Sequence, residues 1–456
     1  MKATAVAVLA VLAVLAAAPG SSTAEEWIAV GAAINITPEY PVRMYGYASP
    51  ARNSESDGVA GRLWASALVL GDDAGEGPAV LVTVDSGSVP PEIRHEVLRR
   101  LQTQVPLTRE RFVLAKSHTH AGPNLRGMRR FSGEQLERIT RYSEDLTDHL
   151  ERVVLEALAA RQPGKLSWTQ GSVDFAANRR VVEDGKWSGF GAVPEGPVDH
   201  DLPLLRVSDA EGKTIAVVVN YACHNTTLFG DFMQLHGDWT GSAREAIESD
   251  HPGVVAMVTI GCAGDADPFP RGKLEYCLQH GRTLADEVTR LLAGDFQPVS
   301  PQQTARSVLL EIPYLDPPSP EELEQLAARS SSAESLLQRL ERGETPPSST
   351  TLEIIVWTFG DDLAMVFLPN EVVVDYALRM KREMDGSRLW VSAYCNEVAG
   401  YIVSERLIDE GGYEVRSSLS ARISYGQPER VLPSIEERIV SHVRALVPEA
   451  FHAKHE

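Results

Sequence analysis

The chain of 456 residues has few cysteines, few basic residues for its acidity and, beyond residue 18, no long apolar run. Its four cysteines include no C-x-x-C pair, which argues against a disulfide-stapled scaffold. Lysine and arginine number 43 against 63 acidic residues, so the formal net charge is −20. Such a surface repels phosphate groups, which argues against nucleic acid and anionic membranes as electrostatic partners.

Several catalytic signatures are missing as well. The sequence contains no H-E-x-x-H, no G-x-S-x-G, no P-loop and no dinucleotide-type glycine fingerprint. These motifs mark common zinc peptidases, α/β-hydrolases and nucleotide-dependent enzymes. A catalytic site in this chain must therefore be sought in side chains outside these signatures.

The N-terminus has the pattern of an export signal. A lysine at position 2 precedes an almost uninterrupted Ala/Val/Leu run to residue 18, and small residues follow up to residue 24. This pattern predicts a cleavable signal peptide over residues 1–24 and a secreted or periplasmic protein. No later stretch is apolar enough to span a bilayer, so we expect no integral membrane segment in the mature chain.

Apolar runs separated by turn residues predict three β-hairpins, within residues 62–85, 204–219 and 351–368. Amphipathic spacing predicts helices over residues 91–101 and 133–160. Strands mixed with helices predict an α/β (mixed α+β) fold, a layered sheet sandwich flanked by helices.

We expect residues 25–456 to form a single large catalytic domain. Within it, residues 317–349 are flanked by prolines and rich in Glu, Arg and Ser, which predicts a surface helical insertion.

Side chains that can bind a metal ion or transfer a proton follow four of the apolar runs. They are His118 with His120, His224, Asp265 with Asp267, and Glu371. Sites in sheet proteins gather where strands end and loops begin.

Histidine and carboxylate are the usual ligands of a catalytic zinc, which keeps one position open for water. On these grounds His118, His224 and Glu371 are candidate ligands, with His120 beside them as a proton carrier. A single histidine is more often structural than catalytic, but three candidates in equivalent positions favour a metal site.

Four segments resemble the neutral (non-lysosomal) ceramidase family, specifically its N-terminal catalytic domain. The resemblance extends over essentially all of the mature chain, and the segments come in the family's order. They are S-H-T-H-A-G-P at 117–123, N-Y-A-C-H at 220–224, G-C-A-G-D at 261–265 and A-G-Y at 399–401.

The resemblance implies hydrolysis of an amide by a zinc ion held by two histidines, a glutamate and a tyrosine. It implies that His118, His224, Glu371 and Tyr401 are the ligands. It also implies that His120 carries protons.

The same resemblance implies roles for two further residues. Arg179, with Arg180 as the alternative, would lie near the scissile amide. Tyr413 would help to stabilise the oxyanion.

The sequence departs from the family in two places. Asp267 stands where a serine linked to activity is expected, and no segment matches the C-terminal immunoglobulin-like domain of the long ceramidases. Both departures weigh against ceramide itself and leave the metal ligands in place.

Other functions stay open. Asp265 and Asp267 could bind a second divalent cation, Mg²⁺ or Ca²⁺, or contact a polar headgroup, or simply form a turn after the strand. The first two roles would suit a metal-dependent esterase or a hydrolase of small N-acyl compounds. A non-catalytic binding protein on the same scaffold would require a degraded metal shell.

Overall fold

The structure, a computed structural model, describes residues 26–30, 33–127, 131–431 and 435–452. The signal peptide predicted over residues 1–24 lies outside the described residues and stays a prediction. None of the helices within the described ranges combines the length and the apolar character needed to cross a membrane.

Strands are numbered here in chain order. They are β1 Glu26–Val30, β2 Ile34–Asn35, β3 Gly58–Val59, β4 Trp64–Leu70, β5 Ala79–Val84, β6 Phe112–Lys116, β7 Gln162–Ser172, β8 Ala176–Glu183, β9 Lys186–Val193, β10 Asp201–Asp209, β11 Thr214–Tyr221, β12 Gln234–Leu235, β13 Val255–Ile260, β14 Ala266–Pro268, β15 Gln297–Pro298, β16 Gln303–Pro313, β17 Ser349–Phe359, β18 Leu363–Phe367, β19 Glu371–Val372, β20 Leu389–Ser392 and β21 Tyr401–Ile402.

The α-helices are numbered in the same way, and short 3-10 turns complete the regular structure. The helices are α1 Pro91–Leu101, α2 Gly133–Ala159, α3 Asp238–Asp250, α4 Leu274–Leu292, α5 Pro320–Ala327, α6 Ser331–Glu341, α7 Val374–Glu383, α8 Glu405–Glu410, α9 Tyr413–Arg416, α10 Leu419–Ile423 and α11 Ile435–Leu446.

Two sheets pack face to face and helices cover their outer sides. The larger sheet has the order β13-β11-β10-β7-β1-β4-β5-β6, and the smaller has the order β16-β17-β18-β20. Successive side chains of β17 alternate between two cores: Ile355 and Trp357 meet the larger sheet, whereas Ile354 and Val356 face α7 and α11. The result is a four-layer arrangement, which confirms the predicted layered sandwich of mixed α and β structure.

The apolar stripe of α2 explains how the outer helices attach. Its buried residues recur every three or four positions and cover β4 and β5. The helix predicted over residues 133–160 is thereby confirmed. The apolar residues of the buried stripe are Ile139, Tyr142, Leu146, Leu150, Val153, Val154, Ala157 and Leu158.

All three predicted hairpins are confirmed, as the antiparallel pairs β4–β5, β10–β11 and β17–β18. The sequence did not predict strands β7, β8, β9 and β16. In β9 and β16 the residues alternate between exposed and partly buried along most of each strand, so neither forms an apolar run. A strand with one face in solvent gives a weaker signal than a buried one.

The segment 317–349 contains α5 and α6 between the paired strands β16 and β17. Four apolar side chains of the two helices, namely Leu323, Leu326, Ala333 and Leu336, form a small cluster with Tyr425. Most other positions of the two helices are exposed or half-buried.

One short segment joins the two edges of the larger sheet. Its edge strands β6 and β13 contact each other, and residues 393–396, which follow β20 of the smaller sheet, lie between them. The Ala393 amide donates to the carbonyl of Ile260 at the end of β13 (2.8 Å), and the Lys116 amide at the end of β6 donates to the carbonyl of Tyr394 (3.2 Å). The loops that follow β6, β13 and β20 therefore start from the same place.

Asn396 completes this junction. Its backbone is in the left-handed region (φ 57°), and it is buried. Its amide donates to the carbonyl of Leu114 (2.7 Å), and its side-chain oxygen accepts from the Leu114 amide (3.0 Å). The Asn396 side-chain nitrogen donates to Glu353 (3.3 Å).

We predict that Asn396→Ala lowers the free energy of unfolding by about 2–3 kcal/mol, because a buried amide loses its acceptor and alanine tolerates a positive φ less well than asparagine. Urea denaturation followed by circular dichroism measures the loss. Asn53→Ala, at an exposed position, is the control and should change stability by less than about 0.5 kcal/mol. Equal stabilities of the two variants would contradict the role assigned to Asn396.

Candidate metal centre

His118 lies two residues beyond β6 and is buried. Its Nδ1 is 2.5 Å from the carbonyl oxygen of Gly87, so Nδ1 donates to that carbonyl and Nε2 is the nitrogen left to face the site. A hydrogen bond of this kind fixes the tautomer and the ring orientation of metal-binding histidines. Nε2 of His118 therefore faces the centre of the site as a ready ligand.

Gly87 also leaves room for an aromatic ring beside the two histidines. A Cβ atom on Gly87 would overlap the ring of Tyr45. That ring lies edge-on to His118 and His120, with centroids 5.7 and 5.5 Å away. The absence of a side chain at Gly87 thus allows the Tyr45 ring to pack against both imidazoles.

His224 lies three residues beyond β11 and is oriented in the same way. Its Nδ1 is 3.2 Å from the carbonyl oxygen of Ala263 and 3.2 Å from the hydroxyl of Tyr394. Burial, and then Arg179 and His118, hold the pKa of His224 well below its ordinary value. The ring is accordingly neutral, with Nε2 directed into the site.

Glu371 supplies the carboxylate between the two histidines. Its Oε2 lies 3.2 Å from Nε2 of His118 and 3.6 Å from Nε2 of His224. This buried oxygen has no hydrogen-bond partner among the described residues. An unpaired buried carboxylate oxygen is costly, and a cation bound between these atoms would remove the cost.

Burial raises the pKa of Glu371, but His118, Tyr401 and Arg179 outweigh it and hold that pKa below its ordinary value. The carboxylate is therefore ionised at neutral pH. Its charge is available to a metal ion.

Tyr401 lies directly beside Glu371, because β19 and β21 pair in parallel with these two residues in register. Burial, followed by the charge of Glu371, raises the pKa of Tyr401 well above its ordinary value. The Tyr401 hydroxyl accepts a hydrogen bond from Nη2 of Arg179 (3.1 Å). Sheet pairing thus brings a carboxylate and a phenol to the same edge of the site.

His120 contributes a third imidazole. Its Nε2 is 3.3 Å from Nε2 of His118. One nitrogen each from His118, His120 and His224 lie within 4.8 Å of one another, the arrangement expected of a metal site. Burial, and then His118 and His224, hold the pKa of His120 well below its ordinary value, and its Nδ1 has no hydrogen-bond partner within the described ranges.

The donors fit a transition-metal ion. Imidazole nitrogen with carboxylate oxygen suits zinc and its neighbours better than magnesium or calcium, which prefer oxygen alone. The geometry allows His120 to act as a ligand or to stand beside the metal as a proton carrier. Its predicted role as carrier stays a prediction.

Backbone strain accumulates at the same place. His118, Asn370 and Tyr394 have positive φ values of 55°, 72° and 56°. Such conformations cost about 1–3 kcal/mol each and persist where surrounding contacts enforce them. All three lie just after strands, where they turn the chain into the site.

Arg179, in β8, has three polar partners. Besides Tyr401 it donates from Nε to Glu414 (2.9 Å) and from Nη1 to Asp267 (3.1 Å). Burial lowers the pKa of Arg179, but Tyr401, Asp267 and Glu414 outweigh it and raise that pKa well above its ordinary value. Arg180 points elsewhere, toward Glu410 and Glu414. Of the two predicted alternatives, Arg179 is therefore the arginine beside the site.

Tyr413 begins α9 at the rim of the site and is 41% exposed. Its ring lies 5.7 Å from the ring of Tyr401 and 5.4 Å from that of Phe190. The Tyr413 side chain therefore lies beside Tyr401 and is accessible to solvent.

Asp265 and Asp267 are both buried, but their oxygens are occupied. Asp265 accepts from the Val374 amide at the start of α7 (2.8 Å) and from Asn178 (2.9 Å). Asp267 pairs with Arg179 and Arg271. These protein contacts are sufficient to stabilise both buried carboxylates. Binding of a second cation by Asp265 and Asp267 stays a prediction.

Sequence reasoning missed several residues of the site. Tyr394 anchors His224, Gly87 orients His118, and Glu414 holds Arg179. Tyr394 had a detectable signal, since it follows the apolar run of β20. Gly87 and Glu414 had none, because their contacts exist only after folding.

A cavity of about 500 Å³ opens beside the centre. Tyr45, which contacts the imidazoles, and Ala399, two residues before Tyr401, both line it. The lining is mixed, with Val89, Pro90, Pro91, Ile93 and Val398 beside Glu92, Asn124, Arg126, Glu144 and Glu397.

Comparisons with known proteins give relatives of modest identity. Neutral ceramidase of Pseudomonas aeruginosa is 27% identical over 237 residues, which cover 50% of this chain and 34% of that protein. Neutral ceramidase A of Dictyostelium discoideum is 25% identical over 252 residues, which cover 52% and 35%. The match thus spans about a third of the length of these curated relatives.

Solved structures share the fold over a greater length. A crystal structure of neutral ceramidase from Pseudomonas aeruginosa matches with a TM-score of 0.70 at 20% identity, covering 95% of this chain and 76% of that one. A structure described as ceramidase complexed with C2 matches with a TM-score of 0.71 at 19% identity, covering 95% and 77%. These likenesses establish the fold.

The family follows from the sequence itself. The model of the neutral/alkaline non-lysosomal ceramidase N-terminal domain matches residues 28–282, which is more than half of the chain and includes His118, His120 and His224. The chain belongs to the neutral/alkaline non-lysosomal ceramidase family.

Proposed function

We propose that this protein is an exported, zinc-dependent hydrolase that cleaves the amide bond of an N-acyl substrate. The observation that supports it best is the buried Oε2 of Glu371, which has no hydrogen-bond partner among the described residues and faces Nε2 of both His118 and His224. Family membership supports amide hydrolysis, and the donor set supports zinc. The export signal predicted over residues 1–24 supports secretion.

In this proposal His118, His224, Glu371 and Tyr401 hold the ion. When bound, zinc supplies a Lewis acid and lowers the pKa of a coordinated water to about 7.

The remaining residues handle protons and charge. His120 is neutral, so it can take a proton from water and pass it to the leaving nitrogen. Arg179 and Tyr413 lie on the Tyr401 side, where they can donate hydrogen bonds to the oxygen of the cleaved amide. Such donors are typically worth about 3 kcal/mol each in the transition state.

The proposal also concerns which class of substrate is cleaved. The named relatives are ceramidases, which supports a ceramide-like amide. Asp267 replaces the serine expected in the family and is bound by two arginines, and the cavity beside the centre carries several charged side chains. These features favour a smaller, more polar N-acyl compound or an ester as the alternative. The intact donor set argues against a non-catalytic binding protein.

We predict that His118→Ala and His224→Ala lose zinc and activity together, since each removes a ligand whose orientation is fixed by a backbone carbonyl. His120→Ala should keep zinc but lose most activity. Metal analysis of the purified proteins beside turnover assays measures both properties, and His95→Ala, on the exposed face of α1, is the control. Loss of zinc in His120→Ala would instead make His120 a ligand, and full activity in zinc-free His224→Ala would refute the centre.

The two tyrosines should separate metal binding from catalysis. Tyr401→Phe is expected to weaken zinc binding at least tenfold, because a ligand beside Glu371 is lost. Tyr413→Phe is expected to keep zinc and to lower kcat about 10²–10³-fold through the loss of one oxyanion donor. Competition with a zinc chelator and steady-state kinetics distinguish them. Unchanged zinc affinity in Tyr401→Phe would remove Tyr401 from the ligand set.

A substrate panel tests the reaction itself. Ceramide, N-acyl amino acids and simple esters should be compared with and without chelator. We expect amide cleavage that chelation abolishes and added zinc restores. Esters cleaved far better than every amide would favour the esterase alternative, and activity insensitive to chelation would overturn the proposal.

A further inference from the structure

Asp267, at the position where the sequence departs from its family, is held by three donors. It lies in β14 and is 3% exposed. Its Oδ1 accepts hydrogen bonds from Nη1 of Arg179 (3.1 Å) and from the hydroxyl of Thr226 (3.1 Å). Its Oδ2 accepts from Nη1 of Arg271. A carboxylate that is buried and occupied in this way is not free to bind a substrate, so any part it takes in the reaction must act through its neighbours.

The register of the sheet places Asp267 beside Arg179. Strands β14 and β8 pair antiparallel, with Asp267 opposite Ala177. Arg179 follows Ala177 by two residues, so it lies on the same face as the diagonal neighbour of Asp267. The Arg179 amide also donates to the carbonyl of Asp265 (2.8 Å), which fixes the two backbones at this point. Strand pairing therefore determines the contact between Asp267 and Arg179.

Each nitrogen of the Arg179 guanidinium has a different partner. Nη1 donates to Asp267, Nε donates to Glu414 (2.9 Å), and Nη2 donates to the hydroxyl of Tyr401 (3.1 Å). Because the guanidinium is planar and rigid, the two carboxylates fix the direction in which Nη2 points. Without Asp267, Glu414 would be the only carboxylate paired with Arg179 among the described residues. The group would then be held by an ion pair at Nε alone, and Nη1 and Nη2 could exchange places.

The ion pairs around Arg179 form a row in which positive and negative side chains alternate. In order, its members are Arg271, Asp267, Arg179, Glu414, Arg180 and Glu410. The four central side chains are at most 7% exposed. Buried charges are stable only when each has an opposite partner, and this row has three charges of each sign. A serine at position 267 would supply no charge between Arg179 and Arg271.

We propose that Asp267 is a positioning residue for the hydrolysis proposed above. It holds the Arg179 guanidinium in the orientation from which Nη2 meets both Tyr401 and the oxygen of the cleaved amide. Nη2 carries two hydrogens, so it can donate to both oxygens at once. Donors of this kind stabilise a transition state because they are oriented before the reaction begins. Arg271 balances the charge of Asp267 and has no other part in this role.

The first test is Asp267→Asn, which keeps the shape of the side chain and removes its charge. We expect kcat on the amide substrate to fall between about 10-fold and 100-fold, because a misplaced donor no longer meets the transition state. KM and zinc content should stay as in the parent, since neither substrate binding nor the metal ligands are changed. Steady-state kinetics and metal analysis of the purified holoenzyme measure these properties. An unchanged kcat, or loss of zinc, overturns the positioning role.

Arg271→Gln is the matched control, because it also removes an ion pair from Asp267 but leaves the contact with Arg179. Its kcat should stay within about threefold of the parent. A loss as large as that of Asp267→Asn would reflect general disruption of the row and overturn the role. If Asp267→Asn does not fold, Asp267→Asn/Arg271→Gln makes the same test with the charges balanced, and it should show the same fall in kcat.

A double-mutant cycle shows whether Asp267 acts through Arg179. Arg179→Gln removes the guanidinium, so adding Asp267→Asn to it should lower kcat by less than about a further threefold. A further fall as large as that seen in the parent would place the effect of Asp267 elsewhere and overturn the inference.

The last measurement does not depend on turnover. In holoenzyme containing isotope-labelled arginine, NMR measures the exchange between Nη1 and Nη2 of Arg179, whose signals are identified by their absence in Arg179→Gln. We expect this exchange to be about tenfold faster or more in Asp267→Asn and unchanged in Arg271→Gln, because one of two ion pairs that hinder the rotation is lost. Equal rates in the parent and Asp267→Asn overturn the positioning contact. Faster exchange in Asp267→Asn without turnover of any substrate in the parent refutes the proposed function but not the contact.

Discussion

The centre depends on the hydrogen bonds that join residues 393–396 to the edges of the larger sheet. Ala393 binds the end of β13, and Tyr394 and Asn396 bind β6. This junction connects the smaller sheet to both edges of the larger one. Because of this junction, the loops that carry His118, His224 and Glu371 begin close together and their side chains converge.

The charges around the centre then determine which kind of ion it can bind. Nε2 of His118 and Nε2 of His224 face an ionised carboxylate, one oxygen of which has no hydrogen-bond partner among the described residues. The positive charge of Arg179 is already balanced by Asp267 and Glu414, so it does not satisfy that oxygen. The arrangement favours a cation at the centre and leaves Arg179 as a fixed donor beside Tyr401.

Much of the fold could be predicted from the sequence, because buried strands and amphipathic helices carry strong patterns. The β4–β5 hairpin and α2 are examples, while β9 and β16, half in solvent, left no apolar run to detect. His118 and His224 could be found because each follows a buried strand. Tyr401 and Tyr413 came only from resemblance, since nothing in their spacing indicates a site.

The sequence by itself determined the layered mixed fold, the family and the set of candidate side chains, because apolar periodicity and short motifs are local properties of the chain. Only the tertiary structure decided that Arg179 rather than Arg180 reaches Tyr401, and that Tyr394 and Gly87 orient the histidines. Those relations join residues far apart in the chain. Long-range packing and hydrogen bonds establish them, and no local pattern encodes such contacts.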